Sequence, residues 1–213
     1  MHIFVSPFSL KLEGFLLYWK LTMQAEYHQD KTFVKANYTD SPLSRAEYED
    51  CRFVDCDFSN SDLAGTRFVN CEFQSCNLTL AKLTKTNFTD VQFKGCKMLG
   101  LHFEHCSDFG FSVSFDNCML DHSCFYKLKM KKTTFKDCKL QEVDFSEADL
   151  SNSNFDTCNL QQATFDNTIL EKVDFRTSYN YTIDPERNRL KKAKFSVNEV
   201  RGLLSKYDIL ISD

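Results

Sequence analysis

The chain has 213 residues, with 26 Lys and Arg against 30 Asp and Glu for a net charge of −4. That length supports one sizeable core and at most two domains, and so mild a charge balance gives no sign of a nucleic-acid partner or an acidic tail. The ten Cys include no C-x-x-C pair and follow no convincing signal peptide, so free thiols in a reducing, cytoplasmic setting are expected rather than disulfides or zinc.

Residues 1–22, MHIFVSPFSLKLEGFLLYWKLT, contain the only Trp, Trp19, and none of the periodicity that follows. Lys11, Glu13 and Lys20 interrupt their apolar stretch, which is too short and too charged for a membrane span. Met23 opens a polar segment, so residues 1–30 read either as an extension preceding a true start at Met23 or as an amphipathic N-terminal cap.

From residue 31 the chain counts in fives, as in CRFVDCDFSNSDLAGTRFVNCEFQSCNLTL (51–80). A large apolar residue i recurs every fifth position, preceded at i−2 by a small one. The centres run Phe33, Tyr38, Leu43, Tyr48, Phe53 and onward to Phe103, then resume at Phe115 and continue to Phe175, with later members at Leu190 and Phe195. Every Phe between 33 and 195 is a centre except Phe109 and Phe111. A five-residue step turns an α-helix by about 140° and so scatters the apolar positions around it. It also sends alternate repeats to opposite faces of a strand. A very short extended piece with i−2 and i inward and i−1 outward, followed by a turn, satisfies the count. Turn-forming Asp57, Asn60, Asp62, Gly65 and Asn70 occupy the outward and corner positions.

Aromatic centres also recur 20 apart: Phe33, Phe53, Phe73 and Phe93, then Phe115, Phe135, Phe155, Phe175 and Phe195. Four repeats therefore close one coil, giving an all-β, quadrilateral β-helix of about eight coils, about 38 Å long at the strand spacing of about 4.8 Å. Every Cys but Cys124 falls at i−2, spread along the axis as small packing residues rather than converging as zinc ligands must. Cys124 stands at i−1 and faces outward.

The frame slips by two residues in CSDFGFSV (106–113), where Asp108 takes the place of a centre and Phe109 or Phe111 is expected to turn in and plug the core. Repeats then run to residue 197. In the tail, residues 198–213, Ser196 and Glu199 form a capping box, and Val197, Val200, Leu204 and Tyr207 make one helical stripe. A short C-terminal helix is expected there, followed by an apolar strand over 209–211. The segment reads as a lid on the last coil, or as a lid that also dimerises. Leu203, Leu204, Leu210 and Ile211 exceed what one end face requires, which favours a homodimer through Val200, Leu203, Leu204, Tyr207, Leu210 and Ile211.

Pentapeptides such as ADLSN (148–152), CDFSN (56–60) and SDLAG (61–65) resemble the A-(D/N)-L-x-x motif of the pentapeptide repeat family over residues 31–197. The resemblance implies a right-handed quadrilateral β-helix. Two runs of coils divided by a break, with a C-terminal joining segment, are similar to the Qnr-type quinolone-resistance proteins. That likeness implies binding to DNA gyrase and topoisomerase IV by mimicry of duplex DNA, with protection against quinolones. The alternative is a scaffold or regulatory interaction protein unrelated to topoisomerases, since one fold serves several roles. The long loops by which some Qnr proteins engage the enzyme are missing.

No convergent acid, base or nucleophile is visible, and His2, His28, His102, His105 and His122 read as scattered, so no catalytic, cofactor-binding or metal residue is expected. On the Phe face, Lys94, Asp116, Lys136, Asp156 and Arg176 alternate in sign, as cross-coil ion pairs would. Lys127, Lys129, Lys131 and Lys132 crowd one side, with Glu147 and Asp149 placed to pair with Lys127 and Lys129, so direct nucleic-acid binding is not expected. Acid gathers at Glu47, Glu49, Asp50, Asp55 and Asp57, and at Glu142, Asp144, Glu147 and Asp149. Asp55, Asp57, Glu147 and Asp149 are the candidate partner-binding residues.

Overall fold

In the computed structural model, which describes residues 26–210, every coil is built from the same local unit: a short extended piece ending in a corner residue with left-handed backbone. Asp30, Lys35, Asp50, Asp55, Asn60, Gly65 and Asn70 all have positive φ, and the series runs at five-residue intervals from 50 to 100 and from 117 to 172. The left-handed turn aims each corner N–H along the rod, where it donates to a carbonyl of the next coil, as from Asp30 to Glu49 (3.1 Å), Asp55 to Gln74 (2.9 Å) and Asn60 to Thr79 (2.9 Å). Asn, Asp and Gly adopt this conformation readily. Lys35, Leu80 and Lys85 are held in it too, with the axial hydrogen bond offsetting the local cost.

The resulting strands are parallel throughout. β1 (Glu26–Gln29), β3 (Ala46–Glu49), β5 (Arg67–Val69) and β7 (Asn87–Thr89) form one four-stranded sheet. The adjacent face is a seven-stranded sheet of β2 (Thr32–Val34), β4 (Arg52–Val54), β6 (Glu72–Gln74), β8 (Val91–Lys94), β9 (Val113–Asp116), β10 (Thr134–Lys136) and β11 (Asn154–Asp156). Isolated parallel bridges mark the two remaining faces, one through Asn37, Asp57, Asn77, Lys97 and Met119, the other through His102, Cys124, Asp144 and Thr164. The solenoid is therefore four-sided, and β1 lies ahead of Phe33, where the five-residue count begins.

Within it the Phe column stacks as an aromatic ladder: Phe33–Phe53 at 4.8 Å, Phe53–Phe73 at 4.7 Å, Phe115–Phe135 at 5.1 Å, Phe135–Phe155 at 4.6 Å and Phe175–Phe195 at 5.4 Å. The Phe103, Phe125, Phe145 and Phe165 column stands edge-on to it, with Phe125 6.1 Å from Phe135 at 86°. Parallel stacking along the axis with edge-to-face contact across it satisfies the ring quadrupoles in both directions.

Small residues at i−2 do more than fill space. The Cys76, Cys96 and Cys138 thiols donate to the carbonyls of Phe53 (3.3 Å), Phe73 (3.3 Å) and Phe115 (3.7 Å), each the centre one coil back. Hydroxyls do the same in other columns, Ser123 to Met98 (2.9 Å), Ser153 to Met130 (3.0 Å) and Thr168 to Phe145 (3.0 Å). Cys and Ser or Thr are thus alternative answers to one requirement: a small side chain that donates to a buried carbonyl. Burial pushes the Cys71 thiol up to about 12, so it stays protonated and available as a donor. All ten Cys are free.

At the break the register lengthens from 20 to 22, since Phe93 pairs with Phe115. Phe111 is the residue that turns inward, packing edge-on against Phe88 and Phe103. Phe109 projects into solvent at 82% exposure, and its carbonyl accepts from Asn87 Nδ2 at 2.7 Å. Gly110, with φ 69°, makes the turn between them.

The tail differs from the expected helix and strand. It forms two 3₁₀ turns, η2 (Val200–Leu203) and η3 (Ser205–Tyr207), and residues 209–210 are not a strand. Only half the capping box is present: Ser196 Oγ accepts from the Glu199 N–H at 3.2 Å, while Glu199 turns away and accepts from the Asn180 N–H at 3.3 Å. Gly202 lies flat on the last coil, its carbonyl accepting from the Ile183 N–H at 3.0 Å, and this contact takes the place of a regular helical turn. Val197, expected in the apolar stripe, is 88% exposed. Trp19, the Met23 start, the cap reading of residues 1–25 and Ile211 lie outside the described residues. Among the described residues no helix is long and apolar enough to cross a membrane.

Candidate partner-binding surfaces

The four candidate acids do not share one patch. Asp55 sits exposed at a corner and Asp57 on the neighbouring face, where its carboxylate accepts from the Ser59 N–H at 2.9 Å. Glu147 and Asp149 lie coils away, on the side of the rod formed by the His102–Cys124–Asp144 face and its neighbour. Both are engaged there. Lys127 is 3.3 Å from Glu147, whose other oxygen accepts from Tyr126 Oη at 2.9 Å. Asp149 pairs with Lys131 at 3.2 Å, where the sequence pattern expects Lys129. Burial pushes the Asp149 carboxyl up, but the hydroxyl and N–H of Ser151, followed by the Lys131 ammonium, together hold it below its ordinary value.

The alternating ladder is realised only in part. Lys136 reaches Asp116 at 3.7 Å, but Lys94 binds Glu72 and Arg176 chelates Asp174. Glu72 also takes Arg52 at 3.0 Å. Hydrogen bonding from Arg176 first, with Lys194 also in contact at 3.4 Å, draws the Asp174 carboxyl down to about 2. Asp174 lines a shallow groove with Asn154, Asp156, Arg176 and Lys194. A carboxylate so firmly ionised and paired is a structural anion and a poor proton donor.

A different charge pattern emerges from the corners. On the corner following the four-stranded sheet, Asp30, Asp50, Asn70 and Asp90 stack in one column, all with positive φ. Asp50 accepts from Asn70 Nδ2, and Asp90 accepts from Ser112 Oγ at 2.8 Å. No base occupies this column in the first run of coils. Asp55 stands at the next corner, across β4 of the seven-stranded sheet, in a column that begins with Lys35. Across residues 26–110 acids outnumber bases, whereas across 111–210 they balance, so the field of the rod is concentrated at one end.

At the opposite end the tail leaves apolar side chains in solvent: Val197, Val200, Tyr207, Ile209 and Leu210 are all exposed, Leu210 completely. Leu203 packs on the core and Leu204 is half-buried. Of the expected interface residues, Val200, Tyr207 and Leu210 therefore face outward, and Leu203 serves the lid.

The imidazoles are less scattered than the sequence suggests. His102 and His105 stack at 5.4 Å across the 3₁₀ turn η1 (Phe103–His105), with Glu104 against both. The legible signal was HFEHC (102–106), since residues three apart eclipse on a 3₁₀ turn.

Comparison with known proteins agrees with this architecture. The family profile described as a pentapeptide repeat region matches residues 29–103 and 110–180. No curated protein matches the sequence. Among solved structures, trypsin-treated QnrB1, a plasmid-mediated fluoroquinolone resistance protein, is similar with a TM-score of 0.57 at 18% identity, covering 89% of this chain and 100% of that one. HetL, a pentapeptide repeat protein involved in heterocyst differentiation regulation from the cyanobacterium Nostoc sp. strain PCC 7120, gives a TM-score of 0.41 at 18% identity, covering 91% of this chain and 95% of that one.

Proposed function

The chain belongs to the pentapeptide repeat family, and we propose that it works as a rigid protein-binding rod with no chemistry of its own. Its partner in this reading is a type II DNA topoisomerase, DNA gyrase or topoisomerase IV. The rod would dock where duplex DNA lies and relieve inhibition by fluoroquinolones, a reading supported by its similarity to QnrB1, a fluoroquinolone resistance protein. The observation that carries the reading is the acidic corner of the first run, Asp30, Asp50 and Asp90 with Asp55 across the face. It sets three carboxylates along one edge of the rod, interrupted at Asn70, as a partial counterpart of a phosphate backbone. Glu147 and Asp149 contribute less, because lysines already neutralise them.

The test is gyrase supercoiling in the presence of ciprofloxacin. Added protein is expected to restore activity, less so as salt rises. A combined Asp50→Asn, Asp55→Asn, Asp90→Asn change is expected to weaken rescue several-fold, and Asp116→Asn with Asp156→Asn to leave it nearly intact. Asn tolerates the left-handed backbone of the three corners as Asp does, so the loss would report charge and not folding. Absence of both rescue and gyrase capture at low salt would reject the topoisomerase reading in favour of a scaffold role.

The same proposal makes residues 31–197 the binding rod and residues 198–213 the joint between two copies. Val197→Asp with Leu210→Asp charges two side chains that stand in solvent in the single chain, so the fold should survive while an apolar interface would not tolerate them. Sedimentation is expected to show a dimer becoming a monomer. A dimer that persists removes the tail from the interface.

A further inference from the structure

We propose that His102, Glu104 and His105 form a binding site for a divalent late transition cation of the zinc class. Their ligand atoms all lie within 4.8 Å of one another, and they are the only such group of His, Cys, Asp and Glu among the described residues. His102 Nδ1 is 2.7 Å from Glu104 Oε1, and His105 Nε2 is 4.0 Å from the same oxygen. A tetrahedral cation with bonds of about 2.0–2.2 Å separates its ligands by about 3.4 Å, a value lying between the two. Small side-chain adjustments would close the site.

The backbone makes this arrangement. Elsewhere in the solenoid, neighbouring outward residues diverge around a corner, but η1 replaces the extended piece with a 3₁₀ turn. Positions i and i+3 of such a turn eclipse, which places the two imidazoles in parallel, 19° apart, with the carboxylate at their edge. Two neutral nitrogens and one carboxylate oxygen suit zinc, nickel, cobalt or copper(II) far better than magnesium or calcium, which take oxygen ligands. Three protein ligands leave a further position for water or a partner's side chain.

An independent observation favours a cation at this place. Glu104 is largely buried, and its Oε2 is screened from solvent with no hydrogen-bond partner. A carboxylate oxygen in that state is costly unless a positive charge compensates it. The weakly donating Cys124 thiol lies against Glu104, and a cation shared by the three side chains would sit against the carboxylate as a whole. Because η1 immediately precedes the break, a bound ion would fasten the last coil of the first run.

The test is calorimetric titration of the full chain with zinc after chelator treatment, in a buffer with a non-chelating reductant, followed by thermal unfolding. Saturable binding and a raised Tm are expected for the parent. His105→Asn and Glu104→Gln are each expected to weaken binding by on the order of 10–100-fold or more, the range already seen for the loss of groups that only support a ligand. His102 and His105 are exposed, so their replacement leaves the core intact. His122→Asn, at an exposed imidazole 3.3 Å from Glu142, is expected to leave binding unchanged. Absence of zinc binding by the parent, or binding that His105→Asn and Glu104→Gln leave at the parent affinity, overturns the proposal.

Discussion

Phe135→Ala is expected to lower stability by about 3–5 kcal/mol, the range for deleting a buried aromatic side chain, with a correspondingly large fall in Tm. Phe135 is fully buried in the middle of the aromatic ladder, stacked on Phe115 and Phe155 and edge-on to Phe125 and Phe145. The cavity left by its ring would be walled by these four neighbours, each fixed by its own coil, so the site has little freedom to collapse. Asn154→Ala, at an exposed position of β11 one coil on, is expected to be near neutral. Since a repeat rod is held together by neighbour-to-neighbour interfaces, Phe135→Ala should also broaden the transition as the two halves of the rod melt less cooperatively. Equal Tm shifts for the two variants would refute the inward and outward register.

That register was legible because the signal repeats. A period of five excludes helix and continuous strand, a second period of 20 fixes four sides, and Phe33 pairing with Phe53 and Phe53 with Phe73 is the direct consequence. Features that occur once were harder to read. Phe109 and Phe111 are chemically identical candidates for the core, and only the path of the two-residue insertion around Gly110 decides between them. The tail carries a helical stripe and a capping box, but whether it forms an α-helix depends on how closely it approaches Tyr181, which no local pattern encodes.

Charge pairing was legible as proximity and not as partner choice. Stacked positions one coil apart correctly bring Lys136 to Asp116, yet Lys94 and Arg176 each have a second carboxylate within reach and take it. Long side chains select among several neighbours at little energetic difference. The corners behave otherwise: their direction is set by the backbone, which is why the Asp30, Asp50, Asp90 column is a fixed feature and the lysine-paired acids of the second run are not. The His102, Glu104, His105 group is harder to read for the same reason in reverse, because an extended reading keeps His102 with Glu104 but sends His105 away from both.

Gly202→Ala is expected to strip the lid from the last coil. A Cβ at this position would collide with the Tyr181 carbonyl oxygen and lie 2.9 Å from its ring. Tyr181 cannot yield, since it is buried with its ring packed between Phe175 and Phe195. The tail must therefore lift, and in lifting it breaks the Ile183 to Gly202 hydrogen bond and strains the contacts that anchor η3: Lys206 with Asp184 and Glu186, both at 2.7 Å, and Tyr207 Oη donating to Glu186 at 3.0 Å. Overpacking of this kind typically costs about 1–3 kcal/mol, and here it would also uncover the apolar end of the rod. Gly65→Ala provides the contrast. Gly65 has φ 73° but open space around its Cβ position, so backbone strain of roughly 1–2 kcal/mol should appear with no exposure of the tail. Limited proteolysis is expected to cut residues 196–210 rapidly in Gly202→Ala and at the parent rate in Gly65→Ala. A Gly202→Ala protein with parental Tm and a protected tail would show that the tail does not rest on Tyr181 at all.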